Sequence, residues 1–317
     1  MQSFPQAAAS ADVRLRLGTR GSALALAQAT AVRDRLATLH GFSPAQIRIE
    51  TIRTSGDMIR DRPLAQAGGK GLFTKEIEEA LLAGAVDIAV HSMKDMPTQL
   101  PTGLTVNCFL EREDVRDAFI SPKAKSLAEL PPGAVVATSS LRRQAQVRNL
   151  RPDLAVVPMR GNVGTRLRKI AEGVADATVL AMAGLKRLGL ADRATAPVPV
   201  EEMLPAVAQG AIGIETRAGD LELAELLAPL NHEPTALAVT AERAFLAQLE
   251  GSCRMPIAAL GELDGRRFVF RGMILTPDGR EAYATRREGQ PAQALQLAED
   301  AADELLAKAG PDFRLSL

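Results

Sequence analysis

Tryptophan is absent from this 317-residue chain, tyrosine occurs once and aromatic residues reach only 3%. The stacking platforms that single-stranded nucleic acid binders lay beneath bases are therefore scarce, which counts against such binding. Net charge is missing too: 38 Lys+Arg stand against 38 Asp+Glu, so no overall field draws the molecule to a polyanion or an anionic membrane. Any anion site must come from local clustering. Two cysteines, Cys108 and Cys253, are too few for a disulfide framework, which suits a reducing compartment. The three histidines, His40, His91 and His232, show no ligand-type spacing with them, and no metal is expected. No apolar run approaches the roughly 20 residues that cross a bilayer, and Met1 to Ala11 lack the basic start and apolar core of a secretion signal. A disordered extension and a cytoplasmic protein without membrane contact are expected. There is no solenoid repeat, no G-x-S-x-G elbow and no G-x-G-x-x-G fingerprint. Gly68-Gly69-Lys70-Gly71 fails the P-loop template, because glycine follows the lysine. What survives there is a glycine loop presenting one cation, either a ligand contact or a tight turn.

Apolar residues at 46% and charged residues at 24% are the balance of an ordinary globular protein, and the length calls for two or three domains. From Arg14 to about Leu230 short β-type runs alternate with helical patterns, the grammar of parallel sheets covered by helices. Strands are predicted at Arg14 to Gly18, Ile47 to Thr54, Ile88 to Val90, Leu104 to Phe109, Val135 to Ala137, Ala155 to Pro158 and Thr178 to Ala181. Helices are predicted at Ala23 to Leu39, Thr74 to Leu82, Leu141 to Leu150 and Thr165 to Glu172. After Glu233 the grammar changes. A helix from Pro234 to Leu249, three β-runs separated by Asp264-Gly265 and Pro277-Asp278-Gly279 turns, and a helix from Pro291 to Lys308 read as a separate α+β unit.

The strand Val135-Val136-Ala137 runs into Thr138-Ser139-Ser140 and then a helix bearing Arg142 and Arg143 in its first turn. Ser139 or Ser140 can cap that helix. Two arginines are unfavourable there, because the helix N-terminus already carries partial positive charge, and an anion would resolve the conflict. Two readings stand: an anion held by free N–H groups and guanidinium forks, or two side chains that lay their stems on apolar surface and solvate their heads. Similar arginine-bearing turns recur at Thr19-Arg20-Gly21-Ser22 and Arg160-Gly161-Asn162-Val163-Gly164-Thr165-Arg166, which argues for one polyanionic ligand. In His91-Ser92-Met93-Lys94-Asp95-Met96-Pro97 a short apolar strand ends in polar groups. Asp95 is there either a carboxylate among cations, able to steady positive charge or pass a proton, or half of a surface Lys-Asp pair. Cys253 reads as a loop cysteine beside Arg254, nucleophilic if partly thiolate and otherwise a thiol with no role; Cys108 reads as a buried packing residue.

Together these motifs, with Gly68-Gly69-Lys70-Gly71-Leu72-Phe73, Ala183-Gly184-Leu185-Lys186-Arg187-Leu188-Gly189, Leu204-Pro205-Ala206-Val207-Ala208-Gln209-Gly210 and Leu249-Glu250-Gly251-Ser252-Cys253, resemble the porphobilinogen deaminase family, in order from Arg14 to the C-terminus. The resemblance implies two periplasmic-binding-protein-like α/β domains joined by a hinge, plus a small α+β domain with a three-stranded sheet. The boundaries expected are 12–109 with 211–229, then 114–204, then 232–317. It implies a dipyrromethane cofactor in thioether linkage to Cys253, with Asp95 as the catalytic carboxylate. Arg20, Lys70, Lys94, Arg142, Arg143, Arg160 and Arg166 would hold acetate and propionate side chains, and Ser22, Gln28, Ser92, Thr138, Ser139, Ser140, Gly161, Arg187 and Gln209 would contribute to the same binding. The implied reaction is the deaminative condensation of four porphobilinogen molecules to hydroxymethylbilane by a monomer. The sequence departs from the family pattern at Ser252, where a second glycine is frequent, at Val115, where proline is common, and at Gln66, where some members carry lysine; none is a reacting group. A two-lobed anion receptor is the rival, and it gives Cys253 no task. A nucleic-acid binder using Arg142-Arg143 and Arg166 with Arg168-Lys169 is opposed by the neutral charge and scarce aromatics.

Overall fold

The computed structural model describes residues 13–58, 71–249, 256–310 and 313. The N-terminal extension, Gly68-Gly69-Lys70 of the glycine loop, and Cys253 lie outside them. In chain order the described elements begin β1 (Leu15–Arg20), α1 (Ala23–His40), β2 (Ile47–Ile52), α2 (Ser55–Met58), α3 (Lys75–Leu82), β3 (Ile88–Ser92) and β4 (Leu104–Phe109). There follow β5 (Asp117–Ile120), β6 (Val135–Ala137), α4 (Leu141–Leu150), β7 (Ala155–Val157), α5 (Val163–Ala171), β8 (Ala177–Ala181), α6 (Met182–Arg187) and β9 (Ala196–Pro197). The last are β10 (Ile212–Arg217), α7 (Leu221–Leu227), α8 (Glu233–Gln248), β11 (Ile257–Asp264), β12 (Arg267–Leu275), β13 (Ala282–Gly289) and α9 (Ala294–Ala309). Two compact units result: one takes in the chain up to His91 with Pro101–Cys108 and Gly213–Asn231, the other Ser92–Leu100, Phe109–Ile212 and His232–Leu317.

The first unit is built on a sheet of order β2-β1-β3-β10-β4. Strand β1 pairs in parallel with both β2 and β3, so the carboxyl ends of all three share one edge. Helix α1 starts where Ser22 accepts a hydrogen bond from the Ala25 N–H and stops at Gly41, which takes the left-handed conformation that a side chain disfavours. Its buried face follows from the spacing of Ala29, Val32 and Leu36, each fully buried. Helix α3 is seated by Ile77 and Leu81 against Val86, Ala89 and Leu104.

The sheet of the second unit has the order β7-β6-β8-β5-β9. Strand β6 is parallel to β7 and β8, whereas β5 is antiparallel to β8. Alternation along the strands sorts side chains to two faces: Val136, Val179 and Phe119 pack with Val147 of α4, while Ala137, Leu180, Ala118 and Ile120 pack with Leu167 and Ile170 of α5. Such double cover buries the strands on both sides and accounts for their unbroken apolar runs.

The C-terminal part of this unit is an antiparallel meander, β11-β12-β13. Asp264 pairs with Arg267 across the predicted turn, where Gly265 has φ +60°. Phe245 of α8 meets Phe270 of β12 with ring centroids 5.2 Å apart, and Leu204, Ala258 and Leu260 form a further cluster with Val115 and Val200. Most predicted elements recur with ends shifted by a residue or two, a frayed-end effect. The region 291–308 differs more, since Pro291–Gln293 is a separate 3₁₀ turn before α9. Strands β5, β9 and β10 and helices α2, α6 and α7 go beyond the predicted set; they are short, or apolar without a readable period.

Candidate anion site at the strand ends

In the first unit Arg20 ends β1, and Ser22 and Gln28 lie at the start of and on the helix that follows. The Arg20 guanidinium makes a two-pronged ion pair with Asp57, its Nε 3.2 Å from Oδ2 and its Nη2 on Oδ1, and lies over the Phe73 ring with its carbon 4.1 Å from the centroid. Thr54 Oγ1 donates to Asp57 at 2.8 Å. Burial pushes the Asp57 carboxyl up, but the bonds from Arg20 and Thr54 outweigh it and hold the group below its ordinary range. Ser22 accepts from Ala25 N at 3.2 Å, which leaves its hydroxyl proton available for donation. Gln28 lies on α1 and is 2% exposed.

The second unit places its residues on the corresponding edge. Thr138, Ser139 and Ser140 follow the carboxyl end of β6, and Arg160 and Gly161 follow that of β7, the position at which ligands meet open parallel sheets. Ser140 is the cap of α4, accepting from Arg143 N at 3.5 Å, while Ser139 Oγ donates to Met159 O at 2.9 Å. Thr138 Oγ1 accepts from Ser140 N at 3.2 Å. Gly161 has φ +125°, and a Cβ there would come within 2.7 Å of Thr165 Cγ2, so the turn that presents Arg160 requires glycine. Its carbonyl accepts from Arg166 Nε at 2.8 Å. Ser92 ends β3, and Lys94 and Asp95 follow in a single 3₁₀ turn, Lys94 half-buried and Asp95 exposed.

The first-turn arginines of α4 are answered from inside the chain. Arg142 and Arg143 are both buried, and Nη2 of each donates to Asp117, at 2.8 Å to Oδ2 and 2.7 Å to Oδ1. Gln209 Nε2 donates to the same Oδ1 at 2.9 Å. Neither the solvated heads nor a purely external anion expected from sequence describes this arrangement. Burial works to raise the Asp117 carboxyl, yet the two guanidinium groups win and hold it far below the carboxylate range.

Cations nevertheless outnumber carboxylates. Burial first and then Arg143 pull the Lys94 ammonium down to about 8, with Arg142 adding to this and Asp95 and Asp117 opposing it. Burial, Arg143 and Arg160 likewise lower Arg166 to about 10. Like charges that depress one another are short of counter-ions. The buried Nε–H donors of Arg142 and Arg143 have no hydrogen-bond partner, a cost of about 1–3 kcal/mol each unless an acceptor is supplied. The arrangement therefore fits a ligand with several carboxylates.

A family model described as "Porphobilinogen deaminase, dipyromethane cofactor binding domain" matches residues 15–225, and one described as "Porphobilinogen deaminase, C-terminal domain" matches 236–307. The chain is 58% identical over 308 residues to the porphobilinogen deaminase of Nitrobacter hamburgensis, covering 97% of this chain and 98% of that one. The chain belongs to the porphobilinogen deaminase family. With the porphobilinogen deaminase of Paracoccus denitrificans it shares 58% identity over 299 residues, 94% of this chain and 96% of the other. Among solved structures it is similar to a nutrient binding protein from Burkholderia cenocepacia bound to methionine, at 16% identity and TM-score 0.41 over 68% of this chain and 90% of that one.

Within the second unit the structure thus couples Lys94, Arg142, Arg143, Arg160 and Arg166 of the residues read from sequence. Arg187 donates to Gly210 O at 2.6 Å and faces Glu113. Lys70 and Cys253 fall outside the described residues. Sequence reasoning missed Asp117, Asp57 and Phe73 as parts of these clusters. The one available signal for Asp117 was a charged residue opening the otherwise apolar run Asp117-Ala118-Phe119-Ile120, fully buried throughout. Cys108 is buried as expected, and burial pushes its thiol up to about 12, which keeps it unreactive.

Proposed function

We infer that this chain condenses four porphobilinogen molecules, with loss of ammonia from each, into the linear tetrapyrrole hydroxymethylbilane, as a transferase of tetrapyrrole biosynthesis. The observation that carries this reading is the surplus of cations over carboxylates at the strand ends, with the Nε–H groups of buried Arg142 and Arg143 left unpaired, in a chain of this family. Arg143, Arg160, Arg166 and Lys94 would bind the acetate and propionate groups of pyrroles, as Arg20, Ser22 and Gln28 would on the first unit. Thr138, Ser139, Ser140, Ser92, Gly161, Arg187 and Gln209 support that binding through hydroxyl, amide or backbone groups. A dipyrromethane attached through Cys253 would supply the free nucleophilic α-carbon for the first carbon–carbon bond, and the terminal ring of the growing chain would supply it for each later one. As the substrate's C–N bond breaks, the bonding pair leaves with ammonia and the methylene pyrrole becomes cationic. Asp95 stabilises that charge, and it takes the α-proton once the new bond has formed.

The family's organisation supports three domains, 12–109 with 211–229, 114–204 and 232–317, joined by a hinge. A cytoplasmic monomer that binds neither nucleic acid nor membrane completes the reading. No described helix is long and apolar enough to cross a membrane. Intact mass spectrometry tests the function: the purified protein should carry a dipyrrole-sized excess and, after brief exposure to porphobilinogen, a ladder of pyrrole increments. Cys253→Ser should lose the excess. Folded, reduced protein with an unmodified mass in both spectra would refute this reading in favour of an anion receptor.

A further inference from the structure

The cation cluster is organised around a carboxylate that has no place in the binding or proton-transfer roles above. Asp117 is fully buried and receives three donors, Nη2 of Arg142, Nη2 of Arg143 and Nε2 of Gln209. The two arginines are not equivalent around it. Arg142 is engaged twice, since its Nη1 also donates to Leu204 O at 2.7 Å. That carbonyl takes a second bond, from Gln146 Nε2 at 3.0 Å, and the Leu204 N–H returns one to Gln146 Oε1 at 2.8 Å. Arg142 is thereby tied to the Leu204 backbone, which Gln146 also holds. Arg143 gives Asp117 one nitrogen, and it is the cation that acts on both Lys94 and Arg166. One carboxylate between two guanidinium groups neutralises only one of them.

We propose that Asp117 is the positioning residue of the anion site: by clamping Nη2 of both arginines it commits Arg142 to the protein and aims the remaining face of Arg143 at the ligand's carboxylates. The physical reason is geometric. A guanidinium is a planar fork, so fixing one terminal nitrogen fixes the direction of the others. Without such a clamp two adjacent arginines on one helix turn would repel and swing apart. The same carboxylate lies close enough to Lys94 to help keep it protonated. The groups that act on Lys94 are Arg143, Asp95, Asp117 and Arg142. Removing Asp117 leaves Asp95 alone against both arginines.

The inference rests on the dipyrromethane reading and is tested so that the two can fail separately. Apo-protein, produced in cells that make no porphobilinogen, is mixed with porphobilinogen across a range of pH. The appearance of the dipyrrole mass increment is timed. If the parent protein never gains it, the reading of the ligand falls, whatever Asp117 does. If the parent loads, its rate is expected to decline as pH rises past about 8, where Lys94 loses its proton. Asp117→Asn, folded by circular dichroism, should load slower by roughly tenfold or more, and its alkaline limb should move to lower pH. Loading at the parent rate overturns the assignment. Slow loading with an unmoved limb also overturns it, because that is what a merely structural loss would give. Should Asp117→Asn yield no folded protein, Asp117→Glu carries the test, since it keeps the charge but displaces the forks by one methylene. It should hold the alkaline limb near the parent's position and still load several-fold more slowly; loading indistinguishable from the parent overturns the proposal.

Discussion

Asp95→Ala protein is expected to fold with an unchanged melting temperature, to carry the dipyrrole mass, and to turn porphobilinogen over about 10²–10³-fold more slowly than the parent. Stability is spared because Asp95 is exposed and closes no buried network. The turn that presents it is held by backbone bonds, Met96 N to Met93 O at 3.2 Å and Met93 N to Ala211 O at 3.1 Å, which alanine leaves in place. Turnover suffers because a fixed carboxylate beside a developing cation is worth far more in the transition state than in the ground state. The loss should therefore fall on kcat and kcat/KM together, with little change in KM. Asp95→Glu, which keeps the charge but moves it by a methylene, should recover part of the rate. Single-turnover measurement of ammonia release separates this from slow product release; near-parental turnover by Asp95→Ala would end the assignment of Asp95.

The largest effect on stability is expected at Glu242. This side chain of α8 is fully buried and accepts from Arg112 Nη1 at 2.6 Å and Nη2 at 3.0 Å, from Ala208 N at 2.6 Å and from Gly261 N at 2.8 Å. Ala208 has φ +58°, a left-handed backbone that costs a non-glycine residue about 1–2 kcal/mol, and the bond from its N–H to Glu242 helps to hold it there. Arg112 Nε in turn donates to Gln209 O at 2.9 Å. The carboxylate therefore fastens the segment carrying Gln209 to α8 and β11. Glu242→Ala strips the counter-charge from a largely covered guanidinium, whose side chain is 10% exposed, a change that costs up to about 3–5 kcal/mol, and leaves two buried N–H groups without acceptors. Against a margin of roughly 5–15 kcal/mol, the variant should unfold at markedly lower urea and accumulate poorly. Glu242→Gln keeps an acceptor and the shape, and should lose less. A urea midpoint for Glu242→Ala equal to the parent's would show that the network contributes nothing.

How far the chain could be read before folding depended on the range over which each feature is specified. Helix α4 was legible to its last residue because its cap and its strand–turn–helix pattern are contiguous in Ser140–Leu150. The meander was legible from two turn signatures. Strand β10 was not, since Ile212–Arg217 is almost wholly buried and shows no alternation to distinguish it from a helix segment. The small polar residues at the strand ends were recognisable as a candidate site because parallel strands place their carboxyl ends on one edge. Their division of labour was not.

By itself the sequence determined the alternation of strands and helices, the caps, the clustered arginines and the family, all carried by neighbouring residues. Only the tertiary structure decided which anion those arginines meet. Asp117 lies 25 residues before Arg142, and it reaches the site because β5 runs antiparallel to β8 and sets Asp117 opposite Ala181, at the carboxyl end of that strand. A pairing direction of that kind follows from how distant segments bury their apolar faces together, and no local pattern encodes it.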